Sequence, residues 1–205
     1  MGGRPMRRLS LYEHLNAGAS ERKLRLLFCA IIRQVWPEQP PLVRAAVEQC
    51  EATADHPPVA GVFQRLQQGA RALLVQHTGI ERREADPVLE LVRLLTLNNL
   101  TFRNIEQFGR IFFALPFSHR LSQDPVLDIF GRQDAPVAAE PAWRTSNVTA
   151  LAQAIYDDRA YDRLPILADA LEDAGCTNAA VLNHCRLAGE HVRGCWVVDL
   201  LLGKV

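Results

Sequence analysis

The sequence predicts an all-α fold, an irregular multi-helix bundle of about eight helices, and three observations predict it. Apolar residues recur at spacings of three and four through successive segments. Capping residues, prolines and glycines fall at the ends of those segments. Between residues 124 and 144 the texture changes, and proline and glycine punctuate an ordered connector that keeps large apolar anchors.

The first helix follows Ser20-Glu21, a capping pair, and runs through Trp36. Leu24, Leu27, Phe28, Ile31, Ile32 and Val35 share one face, and Pro37 ends it. A second helix over 42–54 places Val43, Ala46, Val47 and Cys50 together. A third over 59–77 aligns Val62, Phe63, Leu66, Ala70, Leu73 and Leu74. Asp86-Pro87 opens a fourth, with the aspartate as N-cap and the proline at the first helical position. A fifth runs from about Asn104 to Leu115. The connector 124–144 reads as an irregular strap anchored by Val126, Ile129, Phe130, Val137 and Trp143. A disordered linker would not retain so many large apolar groups. Thr145, Ser146 or Asn147 then caps a helix through Tyr156. Another spans Leu164–Ala174, with Gly175 suited to a left-handed terminator, and a short one covers 178–185. The last apolar run, 196–202, fits a helix or a strand.

This organisation gives an N-terminal helical body (1–123), the connector (124–144) and a C-terminal helical segment (145–205), expected to share one core. With 205 residues and 48% of them apolar, the chain can bury that core without disulfides. Lysine and arginine number 23, as do aspartate and glutamate, so the chain lacks the global field of a nonspecific DNA or membrane binder. Five cysteines, no signal-peptide pattern and no membrane-length apolar run point to a cytoplasmic protein with reduced thiols.

The stretch from Ile155-Tyr156-Asp157-Asp158 through Arg163-Leu164-Pro165-Ile166-Leu167-Ala168-Asp169-Ala170-Leu171-Glu172-Asp173-Ala174-Gly175-Cys176 resembles the C-terminal portion of a large planctomycete family of uncharacterised proteins, some labelled SMI1/KNR4-like. So do His184-Cys185-Arg186 and the run from His191 to Lys204. Asp128-Ile129-Phe130-Gly131, followed by Pro136 and Trp143, is similar to that family's middle connector. Ser20 to Leu26 resembles its opening helix. The resemblance implies no catalytic residues.

One constellation has metal-ligand character. Cys176, Cys185, His191 and Cys195, with His184 as a substitute ligand, place soft and borderline donors within twenty residues of one another. Zinc is the ion such donors suit. The spacing is looser than a zinc ribbon's, and the same residues also read as small buried thiols with histidines capping helix ends. A second cluster is acidic: Asp157, Asp158, Asp162, Asp169, Glu172 and Asp173. Asp169 and Asp173 share a helix face, and Arg159 and Arg163 stand near enough to pair with several of these carboxylates. A basic patch gathers Arg7, Arg8, Arg22, Lys23 and Arg25, which could touch nucleic acid or an acidic partner but reads better as a solvated face. Cys29 and Cys50 fall on buried helix faces and read as inert. No nucleophile elbow, phosphate loop or paired-histidine metalloprotease motif occurs.

The reading these observations favour is a non-enzymatic helical module that binds another protein, with no membrane partner. The alternative is a zinc protein with a structural or hydrolytic site in the C-terminal cysteine and histidine cluster.

Overall fold

A computed structural model describes residues 20–35, 40–56, 61–78, 87–97, 100, 102–113, 124–131, 136–187 and 189–204. Among the described residues there are ten α-helices and no strand. They are α1 (Glu21–Arg33), α2 (Pro41–Ala52), α3 (Val62–Thr78), α4 (Pro87–Leu95), α5 (Phe102–Phe113), α6 (Asp124–Phe130), α7 (Ser146–Asp158), α8 (Leu164–Asp173), α9 (Ala179–Arg186) and α10 (Trp196–Leu202). Short 3-10 turns at Pro141–Trp143 and Tyr161–Arg163 precede α7 and α8. The chain divides into two compact units, 1–123 and 124–205.

In the first unit α4 is central and packs against α1, α2, α3 and α5. Ser20 caps α1 by accepting a hydrogen bond from the Lys23 amide. Leu24 to Ile32 are all buried. Phe28 stacks on Phe108 with ring centroids 3.9 Å apart. Two ion pairs tie α1 to the α2 region. Arg33 makes a two-pronged contact with Glu51 at 2.6 Å on each arm, and Arg22 bonds Asp55 at 2.8 Å. Pro87 opens α4 as expected; its companion Asp86 lies outside the described residues.

The second unit starts at α6, so the sequence expectation of an irregular strap needs correcting over its first seven residues. Pro125 stands in the first turn of α6, where its missing amide costs no hydrogen bond. Gly131, at φ +64°, ends the helix, and its amide bonds the Leu127 carbonyl at 2.9 Å. Thr145 caps α7 through the Val148 amide, and Asn178 caps α9 through the amides of Ala180 and Val181. Gly175 takes the left-handed conformation expected after α8. The final apolar run is helical, which settles the choice left by periodicity, and Gly203 terminates it at φ +67°. Helices α7 to α10 enclose an apolar cluster around Trp143, Ile155, Tyr156, Leu164, Leu171, Val181, Val197 and Leu201. The pair α8 and α9 forms a hairpin, and α10 lies against α7.

Candidate metal centre

Helix α9 ends at Arg186 with His184 and Cys185 in consecutive positions. Side chains on neighbouring helical residues point about 100° apart, so the two cannot face the same way. Cys185 is 1% exposed and joins the apolar cluster. His184 points out of that cluster, toward the loop between α9 and α10. That loop carries His191, and Cys195 sits where the loop enters α10. From the other side α6 presents Asp128, which is 4% exposed.

These four residues, Asp128, His184, His191 and Cys195, each offer a ligand atom within 4.8 Å of every other. Asp128 Oδ1 lies 2.6 Å from His191 Nδ1 and 3.0 Å from His184 Nε2. His184 Nε2 stands 3.2 Å from Cys195 Sγ. The second carboxylate oxygen, Oδ2, accepts the Val192 amide at 2.8 Å, which fixes the plane of the carboxylate. The His191 and His184 rings meet edge to face, and the Trp196 indole leans on His184 at 5.2 Å. The Tyr161 hydroxyl is buried with no hydrogen-bond partner among the described residues.

Electrostatics bind the group together. Burial works against the charge of Asp128, yet hydrogen bonds with His184 and His191 prevail and hold its carboxyl below the ordinary value. Burial likewise opposes a proton on His191, but the Asp128 carboxylate outweighs it and raises the imidazole pKa. Burial and then the Asp128 charge push the Cys195 thiol well above its usual range. Without a cation in its midst, Cys195 is therefore a neutral thiol and a poor nucleophile.

The arrangement discriminates between two chemistries. A cysteine–histidine–aspartate relay needs the thiol and the carboxylate on opposite nitrogens of the imidazole. Here Asp128 Oδ1 and Cys195 Sγ both address the same atom, His184 Nε2. Convergence of oxygen, nitrogen and sulfur on one small volume is what a cation would exploit. Around tetrahedral zinc, oxygen and nitrogen ligands stand about 3.3 Å apart, and nitrogen and sulfur about 3.5 Å. The contacts above would open by roughly 0.3–0.7 Å to reach those separations, within the scope of small side-chain rotations.

Of the ligands anticipated from sequence, the structure brings together His191, Cys195 and the substitute His184. Cys176 and Cys185 are not in that group. Both are buried, with burial pushing the Cys185 thiol up to about 12 and raising Cys176 as well. Asp128 was missed by the sequence reading. The signal was a lone carboxylate flanked by Val126, Leu127, Ile129 and Phe130.

The other candidates resolve less favourably. In the acidic cluster, Asp169 and Glu172 bond Arg186 at 2.9 and 2.5 Å, an exposed surface network. In the basic patch, Arg7 and Arg8 lie outside the described residues. Arg22 bonds Asp55, and Lys23 is half-buried. Arg25 is 7% exposed and donates to the carbonyls of Leu95 and Leu97 and to Glu21. Its guanidinium closes the C-terminal end of α4 instead of facing solvent. Cys29 and Cys50 are buried as expected.

No described helix is long and apolar enough to cross a membrane. Comparison with known proteins finds no matching family model, no similar curated protein and no similar solved structure.

Proposed function

We propose that residues 124–205 form a zinc-binding module in which Asp128, His184, His191 and Cys195 hold one ion as a structural centre. The observation that carries this reading is the meeting of Asp128 Oδ1, His184 Nε2 and Cys195 Sγ in one largely buried volume, with His191 Nδ1 on the same carboxylate oxygen. One thiolate, two imidazoles and one carboxylate suit zinc better than magnesium or calcium, which prefer all-oxygen shells. Four protein ligands close a tetrahedral shell, whereas hydrolytic zinc keeps a position open for water. The Val192 amide on Asp128 Oδ2 supplies the outer-shell support that orients a ligating carboxylate.

The wider role we infer is non-enzymatic, with the metal stabilising a helical scaffold that engages another protein. Metal content measured after purification without added zinc tests the first part, with one equivalent expected. Cobalt(II) should replace it and give the visible absorption of a tetrahedral thiolate-containing site, lost in Cys195→Ser. A metal content near zero together with no cobalt spectrum refutes the proposal.

A further inference from the structure

Tyr161 opens the 3-10 turn between α7 and α8. The chain enters that turn through Arg159, whose φ of +54° is the one left-handed value on a non-glycine among the described residues. A side chain is held in that region only where its surroundings specify the backbone, so the place of Tyr161 is well determined. The turn packs against both flanking helices, and the Tyr161 ring rests on the apolar cluster of which Cys195 is a member. A tyrosine hydroxyl taken out of water normally finds a partner, and an orphan calls for an explanation. This one is buried without a hydrogen-bond partner among the described residues. Burial first, and then the nearness of Cys195 and Asp128, raise its pKa, against a smaller opposing effect of Arg159 and Arg193. The phenol thus keeps its proton and borders the metal group as a donor.

We propose that Tyr161 is a positioning residue of the metal centre, whose hydroxyl donates a hydrogen bond to the Cys195 sulfur when an ion is bound; this rests on the zinc reading above. Cysteine ligates as the thiolate, so loading sends the thiol proton to solvent and leaves a charged sulfur that accepts hydrogen bonds. The carboxylate is the less suitable acceptor. Asp128 Oδ1 already meets both imidazoles, and Oδ2 takes the Val192 amide. A donor to a metal-bound thiolate draws electron density from the sulfur and fixes its direction, which is how outer-shell groups tune a ligand. The ion would in this way satisfy two groups at once, the thiol that it charges and the phenol that has no acceptor until then.

Tyr161→Phe in the full chain tests this, with zinc chloride and cobalt(II) chloride as the added metals and a chelator to strip them. In stripped protein the variant should unfold at the wild-type Tm or slightly above it, because an unpartnered buried hydroxyl is lost. Its affinity for zinc should fall about tenfold or more. In the cobalt form the sulfur-to-metal charge-transfer band should move to longer wavelength, while the visible bands of tetrahedral cobalt persist. The opposite signs with and without metal are what a purely structural tyrosine would not give. An equal loss of Tm in stripped and loaded protein overturns the proposal, because the hydroxyl then has its partner without the ion. Weaker zinc binding with an unmoved charge-transfer band also overturns it, since the acceptor is then not the sulfur. Unchanged affinity and spectrum do the same and leave the zinc reading intact. Failure of the wild-type chain to bind either metal removes both.

Discussion

Cys195 and Cys185 allow a controlled measurement, since both are 1% exposed and differ in whether they face the metal group. Replacing either by alanine removes one buried sulfur and leaves a similar small void, so in metal-free protein the two variants should lose comparable stability, about 1 kcal/mol each. With zinc the outcomes should separate. Structural zinc sites contribute roughly 10–16 kcal/mol over four ligands. An equal share is about 2.5–4 kcal/mol per ligand, which is roughly 10²–10³ in Kd. Cys195→Ala should therefore weaken zinc binding by two to three orders of magnitude, while Cys185→Ala stays within about threefold of wild type. Competition titration against a chromophoric chelator reads both constants. Thermal unfolding with and without zinc supplies the second axis, and only Cys195→Ala should lose its zinc-dependent rise in Tm. Equal effects of the two substitutions on zinc affinity would refute the assignment of Cys195, and with it the four-ligand centre.

Three further outcomes are expected. Arg25→Met leaves the Leu95 and Leu97 carbonyls without their charged donor and should cost about 2–4 kcal/mol in urea unfolding; a loss under about 0.5 kcal/mol would mean that the guanidinium is a bystander. Gly131→Ala forces a left-handed φ on alanine and a contact at 3.2 Å with Trp196, so it should destabilise by about 1–2 kcal/mol. Gly189→Ala, with nothing within 4 Å of its added carbon, should be close to neutral, and matching losses would contradict the reading. The Glu172 carboxyl is held below its ordinary value by the hydrogen-bonded Arg186 guanidinium. A lowered folded-state pKa contributes stability above the unfolded value near 4.5 and loses it as pH falls through the folded one. Glu172→Gln should accordingly lower Tm at pH 7, and the difference should vanish as the pH drops below that window. A Tm gap that persists at the acid end would place the effect in packing instead.

Much of the helical pattern was legible because caps and apolar spacing are local signals. Ser20, Thr145, Gly175 and the Pro87 start all mark elements where the residues alone put them. Helix α6 was not legible, because a proline in its first turn and a glycine at its end leave only seven residues, too few for periodicity to register. The metal group was half legible for a different reason. Chain spacing says how far apart two ligands are along the backbone, not which way each side chain points. On α9 that direction selects His184 over its neighbour Cys185. Asp128 escaped because a ligand 63 residues from its partner obeys no spacing rule. Arg25 looked like surface charge because the carbonyls it closes lie 70 and 72 residues away.

The wide gap between Asp128 and its partners has a bearing on how the chain matures during synthesis. A ribosome releases Asp128 long before His184, His191 and Cys195 emerge, and those three arrive within a short stretch of one another. Under the zinc proposal, the late trio would seize an ion over a small loop, at modest entropic cost, while the aspartate would have to close a much longer one. Maturation would then begin at the end of the polypeptide and finish by recruiting a residue made far earlier. Chains halted before His184 would carry an aspartate with nothing to meet.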